Sequence, residues 1–328
     1  MQKFCSIFAL KFYNCFAMKK YIGFILMSFL AFAFVACSDS DGYNADSAVS
    51  LYEPTPGRKV AQVKTYDTVD GRDYTWEHNF SYDVHGRVKE INSTVATFLK
   101  IKNQNDEYIY KRYIITSKAN YYFDQEKLSV QYSVSSVCPE DSYYNGAFDD
   151  RGKRYGVFGN NGKLASFFSL DFEYSAALLL KAYEDGGRMY IPQRDASAGV
   201  NGYRSFGQAE HGDTLIADCS NEVVYGSLRN KTNFDIAGYL GLWGVELGVY
   251  ELNYGVENPY QLSSLGLVGV PASVLPLKML ARGKDGKPLK DGSGANLYLD
   301  CDVELDAKDC PVSFVDGRGR RTEIKYAD

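Results

Sequence analysis

The chain has 328 residues, 45% of them apolar, and a formal net charge of −5. This length suits one large domain or two small ones, and the apolar content is that of an ordinary folded protein. The 27 tyrosines and 19 phenylalanines against 5 methionines argue against a helical bundle, because aromatic residues fit the half-buried surface of a sheet. We therefore expect a mainly β protein.

The N-terminal residues have the plan of a bacterial lipoprotein signal. Met18 is followed by two lysines and by an apolar run over 21–36, which correspond to the charged and apolar regions of a secretory signal. Residues 34–37 resemble a lipobox with phenylalanine in place of the usual leucine. We predict that translation starts at Met18, that 1–36 are removed and that Cys37 is lipidated. An uncleaved membrane anchor and an ordinary signal peptide are the alternatives.

The predicted mature chain has 292 residues and, after the loss of four lysines, a formal charge of −9. A negative net charge disfavours nucleic acid and anionic lipid as partners. Residues 38–42 resemble the acidic export tag of Bacteroidetes surface lipoproteins. We therefore predict an outer-membrane lipoprotein exposed at the cell surface, with a periplasm-facing orientation as the alternative. The Ser, Asp, Pro and Gly content of 37–58 predicts a flexible tether.

Hairpins dominate the next part of the chain. Aromatic and polar residues alternate over 72–83, as in a strand with one buried face. Asp70 and Gly71 before it predict a two-residue turn, because a type I′ turn needs positive φ at both central positions. Counting from this turn predicts pairing of Thr65 with Trp76, Lys64 with Glu77 and Val63 with His78. Further turns are predicted at 82–87, 123–127, 148–153 and 160–163.

The alternation of apolar and polar residues becomes less regular after residue 175. We predict strand, turn and strand over 175–187, a long loop over 192–212, a short helix over 236–242, and broken helix and loop over 263–280. A terminal hairpin centred on 307–308 is predicted to pair Leu305 with Cys310, Val303 with Val312 and Cys301 with Phe314. Its other face would carry four acids that must be solvated: Asp300, Asp302, Glu304 and Asp306.

Several of these pieces occur together in one known family. The Tyr-Asp-x-x-Gly-Arg turns, the run 230–235, the segment 266–276 and the hairpins over 306–326 resemble a family of uncharacterised Bacteroidetes lipoproteins, described as a domain of unknown function with a porin-like fold. The resemblance covers residues 59–328 in scattered pieces. Residues 175–177 lack the glycine expected there, and a cysteine stands before Pro311 where an aromatic residue is usual. The resemblance implies a fold and no chemistry.

We predict a single β-rich domain over 59–328, a long curled antiparallel meander or a partly closed barrel. The irregular insert 230–281, with short helical segments, is expected to cover the concave face, because a one-sided sheet must bury its apolar face against something. A lipid-facing barrel is the rival architecture, since alternating strands suit it as well. Open sheet or closed barrel, and the oligomeric state, stay open at this point.

No residue set predicts catalysis, a metal or a cofactor. Cys301 and Cys310 are too far apart in the predicted hairpin for a disulfide, whereas a bridge between Cys138 and Cys219 stays open, and no CxxC pair suggests zinc. The three histidines share no ligand spacing; His78 is expected in the core. Alternating acids over 300–306 are more typical of edge protection than of a glycosidase or calcium site.

The function is therefore predicted only by class. A ligand-binding or accessory module comes first, a structural or interaction protein of the outer membrane second, and a hydrolase last; we do not expect an enzyme. The partners considered are the membrane through the lipid anchor and a glycan, a peptide or an outer-membrane protein. Aromatic residues of the irregular region are the candidate ligand contacts: Tyr239, Trp243, Tyr250, Tyr254 and Tyr260.

Overall fold

The computed structural model describes residues 50–103, 105–168, 170–176, 180–185, 188–194, 200–209, 212–218, 223–233, 262, 265–269, 272–282, 287–317 and 319–327; over 180–218 it describes the backbone and the side chain of Leu215. The first nine strands are β1 Val60–Val69, β2 Arg72–Tyr82, β3 Val88–Lys102, β4 Tyr108–Asp124, β5 Lys127–Val137, β6 Asp150–Phe158, β7 Leu164–Phe167, β8 Leu170–Tyr174 and β9 Leu180–Asp185. The other nine are β10 Arg188–Arg194, β11 Val200–Ala209, β12 Gly212–Asp218, β13 Val223–Arg229, β14 Val274–Leu280, β15 Tyr298–Asp300, β16 Asp302–Leu305, β17 Pro311–Val315 and β18 Arg321–Tyr326. A 3₁₀ turn spans Ser142–Tyr144. None of the helical structure described is long and apolar enough to cross a membrane.

Fifteen strands form one antiparallel sheet. Strands β1 to β12 follow one another in chain order, and β18, β17 and β16 continue the sheet on the other side of β1. A second sheet has the order β13-β14-β15. Among the described strands β12 and β16 are the two edges and do not pair with each other, so the large sheet is open. The predicted mainly β class is confirmed, and the arrangement is consistent with a curled meander rather than a closed barrel.

The first hairpin has the predicted turn and register. Asp70 and Gly71 have φ values of 51° and 73°, as a type I′ turn requires. The pairs Thr65–Trp76, Lys64–Glu77 and Val63–His78 all form. Lys64 Nζ lies 3.1 Å from a Glu77 carboxylate oxygen on the polar face. The register is the one that counting outward from this turn predicts.

A five-residue turn recurs between strands. At 83–87 the Asp83 carboxylate accepts backbone hydrogen bonds from His85 and Arg87, both at 2.9 Å, and Gly86 has a φ of 82°. The Arg87 side chain returns to donate to Asp83 Oδ2 at 2.6 Å, and both side chains are only 2% exposed. The same backbone pattern closes 103–107, 291–295, 306–310 and 316–320. The buried charges at 83–87 are paired and hydrogen-bonded, which is the condition for burying them.

The core lies on one face of the large sheet, which we call the inner face. It is built from the alternate apolar residues of successive strands, among them Val63, Phe80, Ile91, Val95, Ile115, Tyr121, Leu128, Val130, Leu164 and Phe172. Described residues of the predicted insert complete the same cluster: Leu262, Leu265, Leu267, Val268, Ala272, Leu275 and Met279. The Leu164 N–H donates to the Leu267 carbonyl at 3.0 Å. The expected cover of the sheet by the irregular segment is therefore present in its described part, while the helix predicted at 236–242 lies outside the described residues.

Residues 50–58 are held by the fold. Tyr52 is 4% exposed, and its ring stacks on Phe123 and Phe158 with centroids 5.2 and 5.7 Å away. Its hydroxyl donates to the Leu265 carbonyl at 2.9 Å. Part of the segment 37–58, whose composition predicts a flexible tether, is thus packed into the core.

Four local predictions were wrong for identifiable reasons. Residues 150–153 of the turn predicted at 148–153 are strand, and there Gly152 faces Tyr132, so that a Cβ would come within 3.0 Å of its hydroxyl. The loop predicted at 192–212 contains β11, whose glycines pair within the ladder. The broken helix predicted over 263–280 ends in β14, where irregular pairing accommodates Pro276. In the terminal hairpin Val303 pairs with Phe314, not Val312, because the five-residue turn and a bulge shift the register.

The opposite, outer face of β1 to β5 is polar. Lys118 lies 2.6 Å from Glu90, Thr116 and Ser135 share a hydrogen bond of 2.7 Å, and Gln62 donates to Asn79 at 2.8 Å. A lipid-facing surface carries apolar residues at these positions. These six positions of the outer face therefore fit contact with water and not with hydrocarbon.

Candidate functional site

The residues singled out from sequence contribute little to a site in the described structure. Cys37 and the five aromatic candidates Tyr239, Trp243, Tyr250, Tyr254 and Tyr260 lie outside the described residues, as do Cys219 and His211. Their roles therefore stay predictions.

The described cysteines are buried free thiols: Cys138, Cys301 and Cys310. Burial raises the pKa of Cys301 to about 12, which keeps it protonated and unreactive. Cys301 and Cys310 do not form a disulfide, although the hairpin register from which their separation was inferred is wrong. No zinc-like cluster surrounds them: among the described residues no group of three His, Cys, Asp or Glu side chains is placed to hold a metal ion.

Histidine chemistry is also not favoured where the structure describes it. His78 is buried on the inner face, and its Nδ1 lies 2.7 Å from the Ser93 hydroxyl oxygen. Burial lowers the pKa of His78 to about 4. This is the core histidine expected from the strand pattern. His85 is exposed in the turn at 83–87, and its backbone N–H supports that turn.

The acidic run at 300–306 divides into two kinds of residue. Asp302 and Glu304 are exposed on β16, which is an edge strand, so their charges oppose pairing with another sheet edge. Asp306 instead closes its turn by accepting backbone N–H bonds from Lys308 and Cys310 and pairs with Arg58. The hydrogen bond from Cys310 is the main cause that lowers the pKa of Asp306. These contacts support the structural interpretation of the run.

One concave feature of the described residues is a slot on the outer face, across β4, β5 and β6. The register places Tyr122 opposite Ser129 and Ser129 opposite Tyr155. Because neighbouring strands are about 4.8 Å apart, the two tyrosine backbones are about 10 Å apart with the small serine between them. Ser129 is only 7% exposed, whereas Tyr155 is 60% exposed. We call this arrangement the tyrosine slot.

The slot has a volume of about 300 Å³ and is completed by Lys127, Leu128, Gly156 and Val157. Polar residues flank it along the strands: one neighbouring row contains Asn120, Gln131 and Lys153, and the other contains Asp124 and Lys127. The volume is at the lower end of the range for small-molecule sites. The slot has two aromatic walls, a hydroxyl at its base, and amides and charges at its rim. These groups suit a small ligand that has both an apolar and a polar surface.

Neither Tyr122 nor Tyr155 was singled out from the sequence, and this slot was therefore missed. Tyr155 alternates with Arg151 and Lys153, which places it on the polar side of its strand. An exposed ring on a polar face is the signal that was available. The convergence with Tyr122 depends on the register of two hairpins, and no single strand shows it.

No protein-family model matches the sequence, and no curated protein matches it. Among solved structures, the chain is similar to a porin-like protein from Bacteroides uniformis at 11% sequence identity and a TM-score of 0.41. The alignment covers 84% of this chain and 100% of that protein. A similarity of this size carries no argument about fold or function.

Proposed function

We propose that this protein is a lipid-anchored envelope protein that binds a saccharide in the tyrosine slot. The observation that carries the proposal is the register row in which Tyr122 and Tyr155 flank a serine on an exposed sheet face. The proposal assigns a binding role and no catalytic one. It moves the ligand site from the irregular region expected from sequence to the outer face of the sheet.

A saccharide matches the slot for two reasons. A pyranose ring has C–H groups on its faces that pack on aromatic rings, and tyrosine offers an apolar ring together with a polar hydroxyl. Its hydroxyl groups need hydrogen-bond partners at the periphery, and the amides of Asn120 and Gln131 and the ammonium of Lys127 supply donors and acceptors there. The distance of about 10 Å between the two tyrosine backbones leaves room for one sugar ring between their side chains.

The location of the protein at the outer membrane is part of the same proposal. A charged segment after Met18, an apolar run and small residues before Cys37 support lipidation of that cysteine. A tethered protein with an exposed slot would hold saccharides near the outer membrane. Metabolic labelling with a fatty-acid probe tests the anchor: label is expected on the protein, and label that persists in Cys37→Ala would contradict the assignment.

The binding test uses the full chain in detergent on a glycan array, followed by titration calorimetry with the strongest hit. Tyr155→Ala removes one wall of the slot and is expected to weaken binding at least tenfold, which corresponds to about 1.4 kcal/mol. The matched control is Tyr143→Ala, which truncates a tyrosine that is 68% exposed and outside the slot. The absence of any saccharide hit, or equal affinity of both variants, would refute the proposal. A membrane protein recovered by cross-linking in cells would then favour the structural or interaction role.

A further inference from the structure

Strands β3 and β4 continue beyond their neighbours. Pairing of β2 with β3 reaches Ala96, and pairing of β5 with β4 reaches Ile114. Six further pairs, from Thr97–Tyr113 to Lys102–Tyr108, join only β3 and β4 among the described strands. At about 3.3 Å per residue, this two-stranded extension is on the order of 20 Å long. We call residues 97–102 and 108–113 the cationic ribbon.

One face of the cationic ribbon alternates aromatic and basic residues. Its three cross-strand pairs each join a ring and a cation: Phe98 with Arg112, Lys100 with Tyr110, and Lys102 with Tyr108. Tyr108 and Tyr110 are 49% and 51% exposed. The opposite face carries Leu99 and Tyr113, which are buried against the protein. The ribbon therefore presents one face outward.

Cation–π contacts organise that outward face. Lys100 Nζ lies 4.8 Å from the centre of the Tyr108 ring, and Arg72 Cζ lies 4.4 Å from that of Tyr110. Such contacts hold the side-chain stems along the rings and leave N–H donors available. Among the described residues, the ion pairs of the ribbon are Lys102 with Asp106 at the tip and Lys111 with Asp141 on the other face.

We propose that the outward face of the cationic ribbon docks on a membrane surface of anionic, phosphate-bearing lipids. Lysine and arginine donors match lipid phosphates, and half-exposed tyrosines match the headgroup region, where aromatic rings and basic side chains concentrate. The predicted net charge of −9 argues against such a surface for the molecule as a whole. Charge is screened beyond about 8 Å at physiological salt, however, so the local face decides the contact. The proposal is independent of the tyrosine slot.

The choice of lipid over a soluble polyanion rests on the rings. A purely charged polymer needs cations alone, whereas Tyr108 and Tyr110, which are about half exposed, would leave apolar surface in water beside it. At a lipid interface the same rings lie partly among the headgroups, so their exposure is relieved.

The test is photo-cross-linking of the full chain with Tyr110→p-benzoylphenylalanine in vesicles of phosphatidylcholine, with or without a third of the lipid as phosphatidylglycerol. Lipid adducts at position 110 are expected in the anionic vesicles and fall with added salt. The matched position is Val84→p-benzoylphenylalanine, which is 82% exposed in the turn at the other end of β2. Both proteins carry the same N-terminal segment, so any anchoring by that segment is equal.

A charge test completes the design. Lys100→Gln with Arg112→Gln is expected to lower the adduct yield at position 110 about tenfold or more, since each cation near an anionic surface changes partition by about fivefold. Lys89→Gln with Arg151→Gln, two exposed cations elsewhere on the sheet, is expected to leave the yield unchanged. Equal adduct yields at positions 110 and 84, or equal yields in neutral and anionic vesicles, would overturn the proposal.

Discussion

The buried histidine of β2 gives a prediction about acid stability. Burial lowers the pKa of His78 to about 4, from the value of 6.5 that is usual for a solvated histidine. The unfolded chain therefore takes up a proton at His78 as the pH falls through 6.5, and the folded protein does not until about pH 4. A base with a lowered folded pKa destabilises the fold as the pH falls through this window. At 1.36 kcal/mol per pH unit, the full loss approaches about 3 kcal/mol, of which about 2 kcal/mol is reached by pH 5.

The perturbation is His78→Asn, which keeps a polar atom near Ser93 and removes the titrating ring. Urea unfolding at pH 7.5, 6 and 5 measures the free energy of unfolding, with the slope against urea as a check on the unfolded state. The wild-type protein is expected to lose about 2 kcal/mol more than the variant between pH 7.5 and 5. His85→Asn, at an exposed position, should behave as wild type. The reasoning is wrong if His78→Asn keeps the whole acid-dependent loss, or if His85→Asn removes it.

Three further predictions concern stability and thiol protection. Asp83→Ala removes the carboxylate that pairs with buried Arg87 and is expected to lower the free energy of unfolding by about 3 kcal/mol or more in urea. Asp291→Ala, in an exposed turn of the same form, is expected to lower it much less. Tyr52→Ala is expected to lower the free energy of unfolding by about 3 kcal/mol. Leu51→Ala, at a side chain that is 38% exposed, is expected to lower it by less than about 1 kcal/mol. Equal losses in the two variants would contradict the docking of residues 50–58. Iodoacetamide should modify the described cysteines only after unfolding, as mass spectrometry of peptides from native protein would show for Cys138, Cys301 and Cys310.

Turn chemistry made part of the fold predictable from sequence. Asp70 and Gly71 permit one turn type, and counting from it gives the correct partners for Trp76 and His78. The Asp83 turn was recognisable because its aspartate and glycine have local tasks that the sequence displays. Alternation then identified buried faces along the first strands.

The errors arose where a residue's role depended on a distant strand. Gly152 resembles a turn glycine, but this position needs a residue without a side chain because the Tyr132 ring packs across it. Pro276 resembles a break, but the irregular pairing of β13 and β14 accommodates it. The tyrosine slot was missed for the same reason, since Tyr122 and Tyr155 converge only when β4, β5 and β6 take their registers.

The most direct test of the central claim is ¹⁹F NMR of the full chain containing 3-fluorotyrosine, titrated with the strongest saccharide from the array. Resonances are assigned by their loss in Tyr122→Phe and Tyr155→Phe. The proposed site predicts that these two resonances shift together with a common affinity, while that of Tyr143, assigned in the same way, does not move. Saturable binding that shifts other tyrosines and leaves Tyr122 and Tyr155 unchanged would contradict the location of the site.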